Sequence, residues 1–129
     1  MLVTCVLLSA CSVVTGTRNI TLANNYFKKK QYASATAAYR KILQETPESF
    51  YASDARYGLG ITLVSADNPQ KDYAQALHEF EAFHKQYPDD WRTPEVLDWI
   101  AVLKTLSDRN RSLDQLKQLD VRQEKRRGK

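Results

Sequence analysis

Hydrophobic and polar positions alternate at helical spacing through most of the chain. Residues 32–49 read YASATAAYRKILQETPES and residues 73–90 read YAQALHEFEAFHKQYPDD. At an offset of 41, Tyr32 meets Tyr73, Ala33 meets Ala74, Ala35 meets Ala76, Tyr39 meets Phe80, Ile42 meets Phe83 and Pro47 meets Pro88. Spacings of three and four place these side chains on one face of a helix. Each helix should end at its proline, which lacks an amide hydrogen and pushes the residue before it out of the helical region. An earlier helix precedes each copy, with Leu22, Ala23 and Tyr26 in the first and Leu59, Gly60 and Leu63, within YGLGITL, in the second. Between the last of these and Tyr73, the stretch SADNPQKDY carries Asn68-Pro69 and predicts an enlarged connection.

A fifth helix is expected to begin near Thr93-Pro94-Glu95. There Thr93 can cap, Pro94 suits a first turn and Glu95 favours the positive end of the helix dipole. Its apolar stripe is Val96, Leu97, Ile100, Leu103 and Leu106, and Trp91 and Trp99 are expected to shield the open end of the helical stack, with ligand contact as their other role. After Ser107-Asp108, Leu113 and Leu116, with Leu119 or Val121, form a narrow seam among mixed charges. That pattern fits a marginal helix or a short coiled-coil strand fading into the basic end EKRRGK. A solvated helix with a frayed end is the leading reading, and a partner helix or an anionic surface comes behind it.

Composition sharpens this outline. A chain of 129 residues accommodates one domain and can bury a core without staples. Only four Gly and four Pro are present, which favours helix. The net charge of +4 is unevenly placed, since residues 104–129 hold nine Lys/Arg against four Asp/Glu and the remainder is nearly balanced.

Both cysteines, Cys5 and Cys11, fall at the N-terminus, where a disulfide would close only a short loop. The apolar run at residues 2–8 is too short to span a membrane, which takes about 20 residues, but suits the core of a signal peptide. Leu8-Ser9-Ala10-Cys11 resembles the lipobox of bacterial lipoproteins, Leu-[Ala/Ser]-[Gly/Ala]-Cys. The resemblance implies cleavage before Cys11, a diacylglycerol thioether on its sulfur and an acylated amine. With Ser12 following, it implies sorting to the outer membrane of a Gram-negative bacterium.

The repeat itself resembles the tetratricopeptide repeat (TPR), a helix–turn–helix unit, over roughly residues 18–90. Leu22, Ala23, Tyr26, Ala35, Tyr39, Ile42 and Pro47 occupy its framework positions in the first unit. Leu59, Gly60, Leu63, Ala76, Phe80, Phe83 and Pro88 occupy them in the second. Asn19 stands where the family has an early aromatic, and the turn of the second unit is longer than usual. The expected fold is therefore all-α: two TPR-like helix-turn-helix units, a capping helix and a C-terminal basic helix. The expected division is a signal peptide at 1–10, a lipidated linker at 11–18, the TPR-like domain at 19–107 and the basic helix or tail at 108–129.

No catalytic chemistry is legible. His78 and His84 are six apart, off the spacing of three or four that a helical metal pair needs, and both are expected to face solvent. Glu79-Glu81 reads as a solvated face and Asp89-Asp90 as a loop. No nucleophile with a base and an oxyanion site can be assembled. The expectation is a non-enzyme without cofactor or metal, attached to the membrane through lipid on Cys11, binding envelope proteins and not nucleic acid. Stacked units of this family form a concave groove, and Asn24, Asn25, Lys28 and Arg56 are its candidate lining. By family analogy the role is scaffolding in the assembly of outer-membrane, pilus or secretion components. The alternatives are an accessory lipoprotein that modulates a sensor kinase through its basic tail, and a cytoplasmic TPR adaptor.

Overall fold

In a computed structural model of the chain, the backbone is described from Val6 to Gly128 and the side chains from Thr17 to Gly128. The described residues form five α-helices and no strand: α1 (Val6–Lys28), α2 (Tyr32–Glu45), α3 (Ala52–Val64), α4 (Tyr73–Gln86) and α5 (Thr93–Arg127). Each helix packs on its neighbours in sequence, and α1 also reaches α3. Short connections between packed helices make them antiparallel. The fold is all-α, two stacked hairpins closed by α5.

The helix ends follow from local chemistry. At the α1–α2 turn the amide of Gln31 donates to the carbonyl of Tyr26 and that of Lys30 to Phe27, both at 2.9 Å. This is the crossed pair of bonds that ends a helix through a left-handed residue, and Lys30 takes that place with φ 57°. Helices α2 and α4 stop at Glu45 and Gln86, two residues ahead of Pro47 and Pro88. Asp72 caps α4, its side chain accepting the amide of Gln75 at 2.9 Å.

The repeat pattern marks the core. Ala23, Ala35, Tyr39, Ile42, Leu59, Leu63, Ala76, Phe80 and Phe83 are buried, joined by Ile20, Ala55, Val96, Ile100 and Leu103. Helix α3 lies between α2 and α4, which is why it is buried on two sides. Two glycines permit that closeness. A Cβ on Gly58 would sit 2.5 Å from the Tyr39 ring, and one on Gly60 would sit 2.6 Å from the Phe80 ring. Each glycine costs a helix about 1 kcal/mol relative to alanine, and here the close approach of an aromatic ring offsets that cost.

Several expected core or cap positions fall elsewhere. Leu22 and Leu97 are exposed, because the packed faces of their helices run through Ile20–Ala23 and Val96–Ile100–Leu103 instead. Thr93 does not cap α5. Arg92 holds the cap position, and the Thr93 hydroxyl donates to the Tyr87 carbonyl at 3.0 Å. Trp99 stacks on Phe80, with ring centroids 6.0 Å apart. Trp91, by contrast, is 82% exposed and takes no place in the core, its ring lying 5.6 Å from the guanidinium of the buried Arg92. The enlarged α3–α4 connection is tied from inside by Asn68, buried, which donates to the Thr62 carbonyl at 2.8 Å and accepts the Gln70 amide at 2.9 Å. Finally, α5 continues unbroken through residues 107–127, so the basic segment is an extension of the closing helix.

Candidate functional site

The cleft that matters lies on the face formed by α1, α3 and the entry to α5. A concavity of about 370 Å³ is lined by Asn24, Phe27 and Lys28 from α1 and by Asp54, Tyr57, Gly58 and Ile61 from α3, with Tyr39 and Arg92 completing it. Helical geometry explains the set. At 100° per residue, Asn24 and Lys28 share a face, as do Asp54, Tyr57, Gly58 and Ile61. Their neighbours Ala23, Ala55 and Leu59 turn into the core.

Two of the four expected lining residues are brought here, Asn24 and Lys28. Asn25 is not. One step of 100° carries it round to a different side of α1, beside Arg18, Thr21 and Leu22. Nor is Arg56, which turns into the α3–α4 contact and pairs with Glu79 at 2.6 Å, both side chains largely covered. The same pair corrects the reading of Glu79 as a solvated residue: it is buried, because its helix face meets α3. His78 is exposed as expected. His84 is half-buried, and its Nδ1 is enclosed without a hydrogen-bond partner.

Arg92 organises one wall. Only 7% exposed, it donates through Nη1 to Asp54 Oδ1 at 2.7 Å, through Nη2 to Asp90 Oδ2 at 2.7 Å and through Nε to Asp90 Oδ1 at 2.9 Å. Its guanidinium also lies 5.1 Å from the Tyr57 ring centroid and 5.2 Å from that of Phe83. This cation–π placement and the two carboxylates satisfy a charge that burial would otherwise penalise. The hydrogen bond from Arg92 holds the Asp90 carboxyl below its ordinary range, burial opposing it, and Asp90 in turn raises the arginine.

The tyrosines present hydroxyls, not phenolates. Burial pushes the Tyr39 hydroxyl up to about 12, with the Asp54 charge adding to it. That hydroxyl donates to Asn24 Oδ1 at 2.7 Å. Burial also pushes Tyr57 to about 12, with the Glu95 carboxylate that it donates to, at 2.9 Å, acting in the same sense. With both phenols protonated and Asp54 engaged by Arg92, the cleft offers apolar rings, hydroxyls, an amide and the Lys28 ammonium. These groups can hold a ligand by contact and hydrogen bonding. Among the described residues no group of His, Cys, Asp or Glu is placed to hold a metal ion.

Phe27, Tyr57, Ile61 and Arg92 were not expected here. Their signal was faint: each stands within a turn of a core residue, where only the tertiary arrangement separates lining from surface. Cys5 and the Cys11 side chain lie outside the described residues, so the lipidation reading has no counterpart in this geometry. No helix among the described residues is long and apolar enough to cross a membrane. Comparison of the chain with known protein families, with curated proteins and with solved structures returns no match.

Proposed function

We propose that this chain is a non-enzymatic envelope lipoprotein that scaffolds other proteins by holding a partner segment in the α1–α3 cleft. The observation that carries the reading is the cleft itself: apolar side chains of Phe27, Tyr57 and Ile61 beside the polar Asn24 and Lys28 on two helices that stack directly. Stacked hairpins of TPR type present such concave faces to peptides and helices. The anchor in this reading is lipid on Cys11, within Leu8-Ser9-Ala10-Cys11. Three acyl chains at about 0.8 kcal/mol per buried methylene would keep the protein on the membrane, and Ser12 favours the outer membrane. The role in this setting is assembly of outer-membrane, pilus or secretion components.

A photo-cross-linking residue at Lys28, compared with one at Asn25, tests the cleft in cells. A discrete adduct from position 28, weak from 25 and lost with Ile61→Asp, supports it. Equal adducts from both positions, or none from 28, sink it. Palmitate-analogue labelling and membrane fractionation of wild type and Cys11→Ser test the anchor separately. Both signals should vanish in the variant, and an unlabelled, soluble wild type overturns the lipoprotein reading.

A further inference from the structure

Helix α5 holds a second surface that the cleft does not use. It is 35 residues long, about 52 Å at 1.5 Å per residue, yet its buried residues end at Leu103 and residues 107–128 are all exposed. Helices in proteins draw most of their stability from packing an apolar face against a neighbour. The projecting half has such a face, uncovered: Leu113 is 53% and Leu116 is 59% exposed. Heptad spacing continues the row back through Leu106 to Val102 and forward to Asp120.

The charges on that row identify its occupant. Arg111 pairs with Asp108 and Lys117 with Asp114 on their own helix, whereas Arg109 and Asp120 lie on the apolar row and, among the described residues, have no ion pair. In a parallel pair of these helices Arg109 would face Arg109 and Asp120 would face Asp120, a repulsive register. In an antiparallel pair centred between Asp114 and Gln115, the register that sets Leu113 on Leu116 of the second copy also sets Arg109 on Asp120 of the second copy. One register therefore covers Leu113 and Leu116 and neutralises both seam charges, twice over by symmetry, as a self-complementary two-fold contact does. We propose that α5 pairs antiparallel with α5 of a second copy, making the protein a dimer whose two clefts stand at opposite ends of a helical rod.

The test is sedimentation equilibrium of the full chain, lipid-free, over a wide concentration range. The expected result is a reversible monomer–dimer equilibrium. Arg109→Asp and Asp120→Arg should each weaken it by about tenfold or more, the order of a 1.4 kcal/mol loss, and the double reversal should restore it, since the pair is then merely inverted. Both residues are exposed and outside the core, so circular dichroism should show the body folded throughout. A spin label at Gln123 fixes direction. The antiparallel register separates the two labels by about 25 Å along the rod, whereas a parallel pair brings them side by side. A chain that stays monomeric at all concentrations, a dimer indifferent to the swaps, a double reversal that fails to restore it, or side-by-side labels each overturns the proposal.

Discussion

The two halves of α5 carry similar hydrophobic spacing and meet opposite fates. Val96, Ile100 and Leu103 are buried against α4, while Leu113, Leu116 and Leu119 stand in solvent on the same helix. The contrast separates a pattern from a partner. Leucine every three or four residues makes a helix side apolar wherever it occurs, but stability accrues only where another surface covers it. The first half has the hairpin stack beneath it, and the second half lies beyond the last packed helix.

The two halves of α5 should differ most in their response to a cavity. Phe80→Ala removes a fully buried ring that Trp99 stacks on, and chemical denaturation should show a loss of about 3–5 kcal/mol. Leu119→Ala, measured where the chain is monomeric, should cost less than about 0.5 kcal/mol. Equal losses would mean that the projecting half is packed after all. Next in size is Glu79→Ala, which strands the covered Arg56 and should cost about 3 kcal/mol. Glu124→Ala, on the exposed half, is the matching control. Smaller again is Gly60→Ala: the gain of about 1 kcal/mol in helix propensity should be overridden by the collision with Phe80, for a net loss of about 1–2 kcal/mol. A more stable variant would refute the close approach.

Acid should weaken the packed half first. The Asp90 carboxyl is held below its ordinary 3.8 by Arg92. Its contribution is therefore present above that value and lost as pH falls through the lower, folded one. The urea midpoint of wild type should drop more between neutral pH and pH about 3 than that of Asp90→Asn, which has no carboxyl to protonate. Hydrogen exchange gives the mildest perturbation: where the chain is monomeric, amides from Val96 to Leu103 should exchange far more slowly than those beyond Ser107.

Much of the fold was legible beforehand because the repeat repeats its physics. Ala35 and Ala76, Tyr39 and Phe80, Ile42 and Phe83 are buried at matching positions of α2 and α4, and Pro47 and Pro88 stand just past their ends. The candidate site was half legible. Asn24 and Lys28 share a helix face by spacing alone, but the choice of Asn25 and Arg56 required knowing which way each helix turns about its axis. Arg92 was illegible, since a basic residue in DDWRTP looks like surface until Asp54, Tyr57 and Phe83 are brought around it from α3 and α4.

That the chain is helical, where its hairpins end and which face of each helix is apolar all follow from spacing, propensity and proline within a few turns. Which apolar faces are covered, the burial of the Glu79 and Arg92 charges, and the cleft between α1 and α3 arise from how the helices pack. Those outcomes depend on contacts between residues distant in sequence, and no local pattern specifies what lies on the other side of a helix.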